Sequence, residues 1–347
     1  MAYNGAMNQI TVALPFALPP EELSGDLIRV LDTPAYATLL SRHKRLQRQV
    51  FRSEARALPH EVWLARLDAQ SGDSVALATA AMHGCQLGAA AQQGHWFMVQ
   101  PAHLQLARTH LLLADQRNIA LSEAESRALF DSARPSFEQQ GGTLLYAGPQ
   151  LWFWRADAWA SLDTASPDAA VTQNVADWMP EGELARSGRR LQNEVQMAWH
   201  EHPVNQAREA RGAAIINACW IWGGAPARSA AMPALAIAGG TDWMQALAGS
   251  GGIATQPEQL LAAPRPLLVA DLIAPAQAGE WSVWLERMHA IERIWLAPLL
   301  QALRSGQIDQ LTLLLSDRER TVQIDCTRLA LHAFWKKCNL NTLSKQG

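Results

Sequence analysis

The sequence is poor in the features that mark several common protein classes. Charged residues make up 18% of the 347 residues, and 29 basic and 32 acidic side chains leave a formal net charge of -3. Neither sign forms a long run, so we expect neither nucleic acid nor an anionic membrane as a partner. No apolar stretch reaches the roughly 18 residues of a membrane helix, and the first residues lack the basic region of a secretory signal.

Cysteine is scarce. The four cysteines, Cys85, Cys219, Cys326 and Cys338, lie far apart and include no C-x-x-C pair. This spacing argues against a disulfide framework and a thiolate zinc site, and it predicts a cytoplasmic protein. The G-x-S-x-G elbow, the P-loop and the G-x-G-x-x-G motif are also missing. We therefore expect no cofactor.

Apolar and aromatic bulk, in contrast, is abundant. The chain has 49% hydrophobic residues, with 14 Trp against 3 Tyr and 7 Phe, enough to build a large core. Strand-like runs near 10–14, 215–222, 267–270 and 311–315 are separated by helical patterns. This order is typical of an α/β fold with a mainly parallel sheet flanked by helices. The basic stretch 42–48 is predicted as the solvated end of a helix.

A block with a different pattern interrupts this order. Ser122 and Glu125 form a capping box that predicts a helix to about residue 139, and the runs 143–147 and 151–155 predict a β-hairpin. We predict an inserted α+β subdomain over 91–199, and a core built from 8–90 plus 200–340. Within the inserted block, the candidates for a partner surface are Trp152, Trp154 and Trp159.

The densest polar cluster lies near residue 200. Its members are His202, Asn205, Arg208 and Arg211, followed by Asn217. They offer donors suited to an oxyanion or phosphate, which arginine can grip with two parallel hydrogen bonds. A small anionic, phosphorylated metabolite is therefore the predicted ligand. The alternative interpretation is a capped helix whose polar face packs on a tryptophan-rich neighbour.

The stretch HPVNQAREARGAAIINACWIWGG, residues 202–224, resembles the archaeal-type cofactor-independent phosphoglycerate mutases, with their H-P-x-N…R…G and N-x-x-W-x-W-G motifs. It is most similar to the proteobacterial regulatory proteins of RpfE type. This resemblance implies an alkaline-phosphatase-like core. Enzymes of that superfamily use a Ser or Thr nucleophile and two metal ions held by Asp and His side chains.

The positions that match the family's metal ligands depart from its pattern. The first strand runs into Leu14-Pro15-Phe16, without the Asp-Gly of the family. Glu280 stands where a His is expected after Asp271, and Arg318 follows Asp317 in place of His. Arginine cannot bind a metal ion, because it is permanently cationic and has no lone pair to donate. The resemblance therefore implies that the two-metal site is lost. Asp271, Glu280 and Asp317 remain as candidate metal ligands.

Three functions stay open at this point. The first is a catalytically degenerate, phosphoglycerate-mutase-like protein with a regulatory or binding role, in which Trp281 and Trp295 fill the former metal site. The second is a metal-dependent phosphomutase or phosphatase whose rearranged site holds one metal on Asp271, Glu280 and Asp317. The third is a protein–protein interaction module that uses exposed tryptophan, a residue type enriched at interfaces.

Overall fold

The structure is a computed structural model that describes residues 8–51, 56–68 and 75–344. Its strands are β1 (Gln9–Leu14), β2 (Arg45–Val50), β3 (His95–Ala102), β4 (Leu104–Leu106), β5 (Leu111–Leu113), β6 (Thr143–Gly148), β7 (Leu151–Arg155), β8 (Ala218–Pro226), β9 (Ala236–Ala238), β10 (Leu267–Val269), β11 (Gln310–Ser316) and β12 (Arg320–Thr327).

The helices are α1 (Glu21–Val30), α2 (Pro34–Ser41), α3 (Pro59–Arg66), α4 (Ala78–Gly84), α5 (Gly88–Ala91), α6 (Glu123–Gln139), α7 (Pro167–Ala170), α8 (Ala185–His200), α9 (Pro203–Ala210), α10 (Asp242–Ala248), α11 (Glu258–Ala262), α12 (Ile273–Ala278), α13 (Trp281–Ile291), α14 (Ala297–Ser305) and α15 (Arg328–Leu331). A π-helical turn, Glu292–Leu296, lies between α13 and α14. Within the described residues, no helix combines the length and apolarity that a membrane span requires.

The chain divides into two compact units. The first unit takes its described residues from Met1–Ala55, Ala234–Gly240 and Ser250–Gly347. The second takes its described residues from Arg56–Pro233 and Thr241–Gly249. The second unit is therefore wider than the predicted inserted block, 91–199. One reason is strand pairing, since β8, which lies outside the predicted inserted block, hydrogen-bonds with β3.

The first unit is built on a six-stranded sheet with the order β2-β12-β11-β1-β10-β9. The pairings of β1 with β11, β1 with β10, and β10 with β9 are parallel, whereas β12 and β2 add an antiparallel edge. Most side chains of β1, β10 and β11 are apolar and buried, because parallel strands are covered on both faces. The predicted α/β class, with a mainly parallel sheet flanked by helices, is confirmed.

The second unit contains an antiparallel sheet with the order β6-β7-β3-β8. The predicted hairpin is confirmed as β6 and β7, and the capping box of Ser122 and Glu125 starts α6 as predicted. Helix α8 places Leu191, Val195 and Trp199 in the core at steps of four residues. Trp152, Trp154 and Trp159 lie in the same core, at 0%, 0% and 4% exposure. Their predicted role as a partner surface is wrong.

One further prediction fails at the edge of the first sheet. The basic stretch after α2 forms β2 and not the end of a helix, with Arg45 opposite Asp325 and Gln47 opposite Gln323. Strand β12, its partner, was not predicted. Charged, exposed side chains on an edge strand discourage pairing with other chains, and in a sequence they look like a solvated helix face.

Candidate functional site

Four of the predicted anion-binding residues, His202, Asn205, Arg208 and Arg211, lie in α9 or at its ends. His202 caps this helix, and its Nδ1 accepts the backbone N–H of Val204 at 3.2 Å. The buried Asn205 donates to the carbonyls of Trp199 and Ile216, both at 2.8 Å, and accepts the Ile216 N–H at 2.8 Å. The amide of Asn205 thus joins the end of α8 to the segment that leads into β8.

The two arginines of the cluster meet one carboxylate. The Arg208 guanidinium, 1% exposed, donates to the carbonyls of Ala214 at 2.7 Å and Ala120 at 2.8 Å, and to Glu125 at 3.3 Å. Arg211 donates to the other oxygen of Glu125 at 2.5 Å. Burial acts to raise the pKa of Glu125, but hydrogen bonds from Arg211 and Ser122 and the charge of Arg208 lower it to about 2. Glu125 is therefore ionised and paired at neutral pH.

Asn217 has a comparable structural role. Its side chain accepts the N–H of Leu104 at 2.7 Å and donates to the Leu104 carbonyl at 2.8 Å. The structure brings His202, Asn205 and Arg208 together around α9, but most of their polar atoms bind other parts of the chain. These contacts favour the alternative interpretation, a capped helix packed on a tryptophan-rich neighbour. The anion-binding role stays a prediction.

The residual metal candidates lie in the first unit, where the parallel strands end. A cleft at the carboxyl ends of β1 and β11 is lined in part by Phe16, Trp281, Asp317 and Arg318. Such an edge is the usual ligand position in open α/β sheets. Asp317 accepts the N–H groups of Glu319 at 2.8 Å and Arg320 at 2.7 Å, and its second oxygen accepts the Arg320 Nε at 2.7 Å. Its carboxylate holds the turn between β11 and β12.

Asp271 and Glu280 do not join Asp317. Asp271 follows β10, where a Cβ on Gly239 would lie 2.5 Å from its Oδ1, so glycine leaves room for this carboxylate. Burial raises the pKa of Asp271, and the charge of Arg287 opposes the rise. Glu280 precedes α13 and is exposed. In the described part of the chain, the three do not form a cluster with ligand atoms within 4.8 Å of one another.

A cluster that does meet this distance was not found from the sequence. His60, Glu61 and Asp168 are buried in the second unit, and a ligand atom of each lies within 4.8 Å of the other two. Burial and the charge of Asp168 raise the pKa of Glu61, while burial and the charge of Arg117 lower that of His60 to about 3. No local sequence pattern indicates this cluster, because its residues lie on α3 and α7, which are far apart in sequence. The adjacent Ser166 lies 105 residues from Glu61.

An exposed aromatic patch was also missed. We give this name to Leu329, Phe334 and Trp335, which are close in sequence and are 83%, 80% and 72% exposed. The rings of Phe334 and Trp335 contact each other edge to face, with centroids 5.3 Å apart. Lys336 and Lys337, which are exposed, follow directly. A local signal was present in the sequence, since two aromatic residues beside two lysines fit poorly in a core.

The other tryptophans that the resemblance singled out have structural roles. Trp220 and Trp222 are buried in β8 and donate to the Ala165 carbonyl at 2.8 Å and to Gln100 at 2.7 Å. Trp295 is buried in the π-helical turn of the first unit. Trp281 is half-buried and lines the cleft.

Comparisons with known proteins give matches among solved structures alone. No protein-family profile and no curated protein sequence matches the chain. The structure of the PH0037 protein from Pyrococcus horikoshii aligns with a TM-score of 0.52 at 13% identity, covering 92% of this chain and 87% of that one. A cofactor-independent phosphoglycerate mutase from Thermoplasma acidophilum DSM 1728 aligns with a TM-score of 0.46 at 12% identity, covering 99% and 95%. The first match shows a likeness of fold; the second is too weak to support an argument.

Proposed function

We propose that this chain is a phosphoglycerate-mutase-like protein of RpfE type that lacks two-metal phosphoryl transfer and acts in the cytoplasm by binding a regulatory partner. The observation that carries the proposal is the state of Asp317. Three hydrogen bonds hold its carboxylate in the turn between β11 and β12. The second oxygen also lies 2.6 Å from the Arg320 Nη2, so both oxygens are engaged and little capacity is left for a metal ion.

The residues around Asp317 also support the proposed lack of two-metal phosphoryl transfer. A two-metal mechanism needs several anionic or imidazole ligands around ions about 4 Å apart. Here the carboxylates of Asp271 and Glu280 do not converge on Asp317, and Arg318 stands next in the chain. A guanidinium at this place repels a divalent cation and offers it no lone pair.

The end of β1 adds a second line of support. Phe16 has a φ of 58°, a left-handed conformation that favours glycine, and the family pattern has Asp-Gly at this point. The Phe16 carbonyl accepts the indole N–H of Trp284 at 2.9 Å. The turn therefore has the backbone shape of the family's glycine, but Pro15, which has no carboxylate, stands before it where the family pattern has Asp.

The aromatic patch supports binding to a protein partner. Exposed aromatic rings mark interaction surfaces, and among the described residues Phe334 and Trp335 are the Phe, Tyr and Trp side chains that are exposed. The lysines beside the patch, Lys336 and Lys337, complement a partner surface with an apolar pocket and an acidic rim. We therefore place partner binding at Leu329, Phe334 and Trp335.

Enzyme assays test the first half of the proposal. Wild type and Asp317→Asn are incubated with 3-phosphoglycerate and, in turn, Mn²⁺, Mg²⁺, Zn²⁺ and Co²⁺. We expect product formation at the rate of the protein-free control for both. Manganese-dependent turnover that Asp317→Asn abolishes would contradict the proposal and support the rearranged metal site.

Binding measurements test the second half. Proteins retained by the immobilised chain are identified and purified, and each is titrated against wild type, Trp335→Ala and Met197→Ala. Met197 is a matched control because it is also exposed, at 79%. We expect Trp335→Ala to weaken the specific partner about tenfold or more, with Met197→Ala unchanged. Equal affinities for all three proteins would refute this location of the binding surface.

A further inference from the structure

The cluster of His60, Glu61 and Asp168 supplies the donor set of a transition-metal site. These three side chains offer one imidazole nitrogen and two carboxylate oxygens, mutually within 4.8 Å, and all three are buried. Imidazole and carboxylate together suit Zn²⁺ and also Mn²⁺ or Fe²⁺. Because the cluster lies in the second unit, it is separate in sequence and in fold from the strand-end cleft.

The hydrogen bonding of Glu61 gives independent support for a bound cation. Its Oε2 accepts the Leu58 N–H and the Ser166 hydroxyl, both at 2.6 Å. Its Oε1 has no hydrogen-bond partner, although the residue is 0% exposed. A buried carboxylate oxygen without a partner costs free energy, on the order of 1–3 kcal/mol or more for a charged group. A bound cation would satisfy this oxygen.

The charges of the cluster also favour a cation. The ion pairs of Arg117 go to Asp115 at 2.8 Å and to Asp168 at 2.6 Å. One guanidinium thus serves two aspartates, and the carboxyl group of Glu61 lies in the same buried cluster. A divalent ion bound there would compensate carboxylate charge that burial keeps away from water.

Hydrogen bonds hold two of the three ligands, Glu61 and Asp168, in position. Leu58 and Ser166 fix one oxygen of Glu61, and Arg117 fixes Oδ1 of Asp168. Ser166 also caps α7 by accepting the Ala169 N–H at 3.1 Å. Hydrogen bonds of this kind orient metal ligands and raise affinity, typically by a factor of about 10–100.

We propose that His60, Glu61 and Asp168 bind one divalent transition-metal ion, with Zn²⁺ as the leading candidate. The ion links the first turn of α3 to α7 inside the second unit and stabilises that unit. This role is structural, and it does not depend on the proposed partner binding or on the absence of turnover.

Metal stoichiometry tests the site. The full chain is dialysed against EDTA, loaded with ZnCl₂ or MnCl₂, and desalted before elemental analysis. We expect about one ion per wild-type chain and a raised unfolding temperature, since an ion that binds the native state stabilises it. His60→Gln and Glu61→Gln should bind less than about a tenth as much, whereas Asp317→Asn should bind as wild type does. Wild type without bound metal would overturn the proposal.

Two further outcomes are decisive. Metal retained by Glu61→Gln but lost in Asp317→Asn would place the ion at the strand-end cleft, which overturns both this site and the proposed lack of a metal centre. If the cluster variants do not fold, zinc X-ray absorption on wild type decides. A shell of nitrogen and oxygen with one imidazole supports the site, and sulfur or several imidazoles refute it.

Discussion

Individual residues show why polar motifs are difficult to interpret from sequence. His202, Asn205, Arg208 and Arg211 have the chemistry of an anion site, and the same groups can cap a helix or bind buried carbonyls. Burial and distance distinguish the two uses. Arg208 is 1% exposed and binds two backbone carbonyls, whereas the Arg211 side chain is 50% exposed and binds Glu125.

This difference gives a prediction for the two arginines. Arg208→Ala should lower the free energy of unfolding by about 2–5 kcal/mol, because it leaves buried carbonyls and part of Glu125 without a donor. Arg211→Ala should cost about 1 kcal/mol or less, since its pair with Glu125 is partly screened by solvent. Urea unfolding followed by circular dichroism measures both.

Phosphate titration of the same variants separates the structural role from the predicted ligand site. If Arg208→Ala unfolds like wild type yet loses binding of inorganic phosphate, the anion site is correct and the structural interpretation fails. Equal destabilisation by both variants would also contradict the structural interpretation, because it would leave the burial of Arg208 without effect.

Among the elements, those specified by local chemistry were predictable. The capping box of α6 and the β6–β7 hairpin depend on residues a few positions apart, and both are present. Strand β12 forms a local hairpin with β11, whereas β2 depends on pairing with β12 across most of the chain, which one sequence does not reveal. The cluster of His60, Glu61 and Asp168 also could not be predicted, because only the folded chain brings these residues together.

Apolar residues at steps of three and four make the segment 283–304 typical of one long helix. It forms as α13 and α14, but the π-helical turn Glu292–Leu296 separates them. Pro298 lacks the N–H that would bond to the carbonyl four residues earlier, and an insertion of this kind relieves the conflict. The Glu292 carboxylate accepts the N–H groups of Ala35 at 2.6 Å and Tyr36 at 3.0 Å. Glu292 therefore caps α2.

The cap gives a prediction at the scale of an element. Glu292→Ala should lower the free energy of unfolding by about 1–3 kcal/mol, because two buried N–H groups at the start of α2 lose their acceptor. Glu292→Gln retains one acceptor oxygen and should cost less. Thermal unfolding measures both, and Glu286→Ala, an exposed position in α13, serves as the control. A loss no larger than the control's would contradict the capping role.

Over the whole molecule, the tryptophan excess is mainly a property of the cores. All 14 tryptophans lie in described parts of the chain, and Trp335 is the one that is exposed. Trp63, Trp178 and Trp281 are half-buried, and the others are buried. Composition alone predicted the large core correctly. It did not indicate which tryptophan faces solvent, because that depends on the packing of every other element.

Quenching of tryptophan fluorescence by acrylamide tests this distribution. Trp335→Phe should remove most of the emission that low acrylamide concentrations quench, since the quencher must collide with the indole ring. Trp243→Phe, at a position with 0% exposure, should leave the amount of quenchable emission unchanged. A partner that covers the aromatic patch should protect wild type from quenching to the level of Trp335→Phe. If Trp335→Phe leaves the quenching curve unaltered, Trp335 is covered in solution, and the binding surface must lie elsewhere.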